Sequence, residues 1–234
     1  MSQPTNPPTA RTEKFPRSTD LPTQSPQFWV EQKDRYLRQL LIRDIEEMTK
    51  RRLVVYFANL FEADAQIDGR DPAFMAELLG DLAGAPADLL IQTPGGGTDA
   101  TEALVSIIQT LMPDLRAIVP RAAKSNGTLL CLAAKTIVMG PTSELGPIEP
   151  HVQGIPATIL EQPQVAAQNF ALHMAGKYAL AQTKSVAKKL LETGMMKGKQ
   201  QVDIDKTVQC LASRDKYHSH GSAIDHKEAS SQFV

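Results

Sequence analysis

Three short segments of the chain combine residue types that do chemistry. The first is Pro94-Gly95-Gly96-Gly97, read as the end of an apolar run and the start of a helix. Glycines without Cβ atoms let main-chain N–H groups face outward, and a following helix N-terminus adds partial positive charge. That combination stabilises an anion, either a phosphate or the oxyanion of a tetrahedral intermediate. No Gly-Lys-Ser/Thr follows, which excludes a Walker-type phosphate loop, and the spacing does not fit the dinucleotide fingerprint. A plain strand-to-helix turn would use the same triplet.

The second segment is Lys124-Ser125-Asn126-Gly127-Thr128, again between a strand-like run and an apolar helix. A serine there is held at the sheet edge as a nucleophile would be, although the Gly-x-Ser-x-Gly elbow pattern is absent. Serine is also a favoured helix N-cap, and both roles fit the local text. The third segment, Ser143 to His151, is a loop punctuated by Pro and Gly that ends in a histidine. Near the C-terminus, Tyr217-His218-Ser219-His220-Gly221 adds two histidines at i, i+2. Neither Cys nor carboxylate accompanies them at a metal spacing, so no metal and no cofactor are expected.

The elements that must position these residues follow from periodicity. Residues 1–26 hold six of the sixteen prolines among Ser, Thr, Gln and Asn. They read as a disordered tail, because little apolar surface is available to offset chain entropy. Phe28, Trp29, Tyr36, Leu37, Leu40, Leu41 and Ile45 recur at helical spacing and predict an amphipathic helix over 27–49. Strands are predicted at Arg52–Leu60, Asp88–Gln92, Arg116–Pro120 and Thr136–Met139. Helices are predicted from Asp71 to about Leu82, Thr98 to Met112, Thr128 to Ala134, Pro163 to Thr193 and Asp203 to Ala212. This alternation predicts an α/β domain over 27–234 with a mostly parallel sheet flanked by helices.

Composition narrows the function classes. The chain of 234 residues carries 25 Lys+Arg against 26 Asp+Glu, a formal charge of -1. That balance removes the electrostatic case for nucleic acid or an anionic membrane as main partner. Two cysteines, Cys131 and Cys210, exclude a disulfide framework. No run reaches the roughly 18 apolar residues of a spanning helix, and Met1 to Pro26 lacks the apolar core of a signal peptide. The expectation is a cytoplasmic protein without an integral membrane segment.

Taken in order, IQTPGGGTDA, then AAKSNGTLLCLAAKTIVMGPTSELGPIEPH, then SHGSAIDHKEA resemble the serine dehydrogenase proteinases (SDH-type) among ClpP/crotonase-fold serine peptidases. Signal peptide peptidase A is a relative. The resemblance covers about Arg52 to Ala229. It implies a ClpP/crotonase-like spiral of β-β-α units and a serine endopeptidase acting on peptide or protein substrate, usually as a homo-oligomer. By position it makes Ser125 the nucleophile and assigns Gly96, Gly97 and Asn126 to the oxyanion hole. For the general base it leaves His151, which lies 26 residues after Ser125, then His220, then a lysine. The lysine that opens the next helix in some relatives corresponds to Gln164, which cannot act as a base. Asp225 is a candidate orienter, and Glu144 and Glu149 read as loop-fixing carboxylates. Two other readings are an inactive ClpP-fold scaffold and crotonase-type chemistry on an acyl thioester.

Overall fold

Apolar runs that alternate with helices in the sequence lie side by side in space. A computed structural model of the protein describes residues 24–62, 64–80 and 82–233. Most of the segment read as a disordered tail, residues 1–23, lies outside the described residues. By internal packing the chain divides into Met1–Lys50 and Arg51–Val234.

The described part of the first unit is one helix, α1 (Pro26–Thr49). The Ser25 hydroxyl accepts a hydrogen bond from the Phe28 N–H, and Pro26 opens the first turn, where its missing N–H costs nothing. Phe28, Trp29 and Tyr36 meet edge to face along one side, with the Trp29 and Tyr36 rings 5.6 Å apart. The helix stops where Lys50 turns left-handed, at φ 57°.

In the second unit, β1 (Arg52–Phe57) is followed by α2 (Asp71–Gly80), β2 (Ala87–Gln92), α3 (Thr98–Leu111) and β3 (Leu115–Val119). Then come β4 (Ala122–Ala123), α4 (Asn126–Leu132), β5 (Thr136–Met139) and β6 (Glu144–Leu145). A hairpin, β7 (His151–Val152) and β8 (Ile155–Pro156), turns through Gln153 and Gly154, both at positive φ as a tight two-residue turn requires. The chain ends with α5 (Ala157–Leu160), α6 (Pro163–Gln168), α7 (Phe170–Thr193), α8 (Gln201–Ala212), β9 (Ile224–Asp225) and α9 (His226–Gln232).

Four strands form a parallel sheet in the order β1-β2-β3-β5. β2 is buried along nearly its whole length, as expected of a parallel strand covered on both faces. Leu89, Ile91, Ala117 and Val119 of the sheet share one core with Leu104 and Ile108 of α3, Leu129 to Leu132 of α4, and Leu190 and Leu191 of α7. All seven residues of α4 are buried. A second, three-stranded sheet, β4-β6-β9, sits at the end of the first. Thr93 joins the two: its N–H donates to Ala122 O and its carbonyl accepts from the Lys124 N–H. The carboxyl ends of β1 and β2 therefore deliver the 58–70 loop and the glycine turn to the edge where Ser125 begins α4.

At the opposite end Asp88, fully buried, is held by Arg51 Nε at 2.8 Å and by Arg116 at 2.6 and 2.9 Å. The structure differs from the sequence reading at several places, three of them inside predicted elements. β1 stops at Phe57, because Ala58 and the following residues turn away, and α4 starts two residues early, directly after Ser125. The long helix predicted from Pro163 is broken at Asn169, whose side chain accepts from the Leu172 N–H and caps α7 instead of continuing α6.

Candidate active site

The glycine turn is shaped by a residue that no motif announces. Ile67, from the loop after β1, lies beside the triplet: its N–H donates to Gly95 O and its carbonyl accepts from the Gly97 N–H, each at 2.8 Å. A residue in extended backbone points its N–H and C=O to the same side, and its neighbours point to the other. Gly95 O and Gly97 N–H thus face Ile67. The Gly96 carbonyl faces the other way and accepts from the Asn126 side-chain amide, which also donates to Thr98 Oγ1 at 3.2 Å. The Gly96 N–H shares that direction and has no acceptor among the described residues. A Cβ on Gly96 would lie 2.3 Å from Ile67 N and 2.4 Å from Ile67 O, so only glycine fits.

Ser125 packs against the turn at Gly95. A Cβ on Gly95, itself at φ +98°, would meet Ser125 Cβ at 2.7 Å, so the glycine turn is pressed against the serine. Ser125 holds φ 52° and ψ -122°, a conformation costly for a residue with a side chain. It occupies the N-cap position of α4, yet its hydroxyl makes no capping bond. The capping alternative is therefore not realised. The Asn126 N–H, first in α4, has no intrahelical acceptor, as at any helix start. Behind the serine, the Thr128 hydroxyl accepts from the Gly146 N–H at 3.1 Å and has Ala123 O (2.9 Å) and Gly146 O (2.8 Å) as alternative acceptors for its one proton. Gly146 packs so closely that an added Cβ would come within 2.8 Å of Lys124 Cδ.

The two histidines ranked first as bases come together from positions 151 and 220. Their rings touch edge to face with centroids 4.4 Å apart. His151 starts β7 and is exposed, while His220 is partly buried, and its Nδ1 has no hydrogen-bond partner among the described residues. Burial, then the neighbouring His151, hold the His220 imidazole below its ordinary pKa, with Arg214 and Lys124 adding to the effect and Glu149 opposing it. That direction favours the neutral imidazole. Glu149 is 2 % exposed; Thr158 donates to one carboxylate oxygen and Arg214 approaches the other at 3.7 Å.

The remaining sequence candidates are engaged elsewhere. Lys124 spends its ammonium on Leu145 O (3.3 Å), Ser222 O (3.1 Å) and Glu144 (3.1 Å). On α7, Lys188 pairs with Asp205 and Lys184 with Gln209. His218 bonds Arg214 O, and Asp225 caps α9 by accepting from the Lys227 and Glu228 N–H groups. Gly97, expected from the resemblance to offer an oxyanion amide, has already donated its N–H to Ile67. Among the described residues no group of three or more His, Cys, Asp or Glu is arranged to hold a metal ion.

A family model described as ClpP-like SDH-type serine proteinase matches residues 81–218, more than half of the chain. The chain belongs to this family. Its fold is similar to that of a point mutant of ClpP1 from Listeria monocytogenes, with a TM-score of 0.52 at 14% identity over 82% of this chain and 92% of that one. Two uncharacterized proteins of Methanocaldococcus jannaschii are similar in sequence. MJ0137 is 40% identical over 72 residues, 31% of this chain, and MJ1495 is 38% identical over 77 residues, 32% of this chain. The chain spans about a quarter of the length of each of these relatives, 25% and 26%.

Within the SDH-type family match lie the glycine turn, Ser125, His151 and His218, while Ile67 and His220 fall outside it. Ile67 escaped the sequence reading because a buried isoleucine in a loop carries no chemical signal. The only hint was an apolar residue amid Asp, Gln and Gly. Arg214 and Thr158, which hold Glu149, were missed for the same reason: each partner is ordinary until the fold closes.

Proposed function

We propose that this protein hydrolyses peptide bonds by acyl transfer, with Ser125 as nucleophile. The Ser125 Oγ attacks a peptide carbonyl, and its proton passes to an imidazole of the His151–His220 pair. The oxyanion that forms accepts hydrogen bonds from the Gly96 and Asn126 N–H groups. The same imidazole returns the proton to the leaving amine, and water then resolves the acyl-enzyme by the reverse proton path. Burial favours the neutral form of His220, and a neutral imidazole is the form that accepts a proton. One observation carries the reading: a strained serine with an uncommitted hydroxyl is pressed against a glycine turn in which the Gly96 N–H has no acceptor among the described residues. That uncommitted hydroxyl also weighs against an inactive scaffold. Thioester chemistry would leave the conformation of Ser125 without a purpose.

The test is covalent labelling by a fluorophosphonate probe. Wild type should label and Ser125→Ala should not, with unchanged circular dichroism. Equal labelling of both would remove Ser125 from the mechanism. We further place the enzyme in a homo-oligomer in a reducing compartment, the cytoplasm. Exposed Phe170, Ala171, Tyr178 and Ala181 recur along one side of α7 as an apolar stripe suited to a second copy, and both cysteines are free. Light scattering at micromolar concentration should give a multiple of the chain mass; the monomer mass would refute the assembly.

A further inference from the structure

A cavity of about 940 Å³ opens at the carboxyl edge of the sheet, between the end of β1 and α2. Its wall is the loop that shapes the glycine turn. Gln66 and Asp68 line the cavity, while Ile67 between them turns inward, 2 % exposed, onto Gly95 and Gly97. One segment thus has the cavity on one face and the oxyanion turn on the other.

Two properties of the lining specify what it would take. Phe57, Phe74 and Leu78 line it while 62%, 65% and 54% exposed, a concentration of apolar surface unusual for solvent alone. The charges around them are mostly acidic and not all satisfied. Arg70 is the one cation among the lining residues, and its guanidinium is committed to Asp68 at 2.6 Å. The Asp71 carboxylate accepts from the Tyr56 hydroxyl and the Asp68 N–H, both at 2.8 Å. The carboxylates of Asp64 and Glu77, both exposed residues, have no ion pair or hydrogen bond among the described residues. Two uncompensated carboxylates beside exposed aromatic rings suit a cationic head on an aliphatic stem, which lies along apolar surface and meets a carboxylate or a ring face at its tip.

We propose that this cavity is the specificity site for the substrate and selects peptides carrying Lys or Arg next to an apolar residue. The proposal rests on the reading of Ser125 as a peptidase nucleophile. It extends that reading by naming the substrate class and the loop through which an occupied cavity bears on Gly96.

The experiment uses the full chain and internally quenched peptides that differ only in carrying Lys-Phe, Gln-Phe or Glu-Phe. They are assayed with wild type and with the double charge reversal Asp64→Lys/Glu77→Lys, alongside the fluorophosphonate labelling rate. Wild type should favour Lys-Phe over Glu-Phe in kcat/KM by about tenfold, the effect of one or two solvent-accessible charge pairs. The double variant should lose or invert that preference while labelling at the wild-type rate. Unchanged selectivity with intact labelling overturns the cavity assignment and leaves the peptidase reading standing. If wild type does not label at all, the peptidase reading fails, and anisotropy with a fluorescent Lys-Phe peptide decides the cavity separately. Binding by wild type that is lost in the double variant supports it, and no binding overturns it. A double variant that changes the mass of the assembly instead of selectivity assigns the face to a second copy and overturns the proposal. Should the double variant fail to fold, Phe74→Ala, at an exposed position, takes its place with the same expected loss.

Discussion

Adjacent glycines in the turn should respond to alanine in opposite ways. A Cβ on Gly96 would stand 2.3 Å from Ile67 N and 2.4 Å from Ile67 O, main-chain atoms that no side-chain rotation can move. Ordinary contact begins near 3.4 Å, so the Ile67 segment must retreat by about 1 Å, which forfeits its two bonds to Gly95 and Gly97. At about 1 kcal/mol each, those bonds alone cost about 2 kcal/mol of stability. The retreat also swings the Gly96 N–H off its line, and losing one oxyanion donor typically costs about 10²–10³ in rate. A Cβ on Gly97, in contrast, meets nothing closer than Ile67 O at 3.5 Å, and its φ of -66° suits any residue. Gly97→Ala should therefore change stability by less than about 1 kcal/mol, the loss of a tolerant N-cap being offset by reduced unfolded-chain entropy. The assay pairs urea unfolding with the second-order rate of fluorophosphonate labelling. Gly96→Ala should fall by about two orders of magnitude in labelling, and Gly97→Ala should stay within a few-fold of wild type. Equal losses in the two variants, or a fully active Gly96→Ala, would refute the division of amides between Ile67 and the oxyanion.

Three further outcomes follow from the same geometry. Lys124→Met strips two main-chain carbonyls and Glu144 of their ammonium partner and should lower stability by about 1–3 kcal/mol in urea unfolding. It should leave Ser125 able to label; a folded Lys124→Met protein that does not label would make Lys124 the base. Asp88→Asn leaves Arg51 and Arg116 facing a neutral amide at the far end of the sheet and should lose about 3–5 kcal/mol. Labelling by the protein still folded should be unchanged. The lowered pKa of His220 means that the unfolded chain binds its proton first as pH falls through about 6.5. Melting temperature should therefore decline below that pH until the folded imidazole also titrates, and His220→Gln should flatten that part of the profile. An unchanged profile in the variant would show that His220 is not the group responsible.

Local text was enough for everything that depends on near neighbours. The alternation of apolar runs and helices gave the parallel sheet, because a strand buried on both faces must be apolar throughout and its crossover must be amphipathic. Gly95-Gly96-Gly97 and Ser125 were legible as the turns that open α3 and α4, since glycine permissiveness and helix starts are properties of a few consecutive residues. The break at Asn169 was less so, because an uninterrupted alanine-rich stretch hides a cap that only competing packing makes worthwhile.

Which amide of the triplet is free was decided by Ile67, some thirty residues upstream. That Ser125 opens α4 without capping it is visible only in the tertiary structure, where its hydroxyl makes no capping bond and Gly95 presses against it. That His151 and His220 form one pair is a tertiary fact, since their rings meet from segments about seventy residues apart. Composition and spacing record what each segment prefers by itself. Hydrogen-bond direction, burial and ring contact belong to pairs of segments, and those pairs exist only once the sheet has closed.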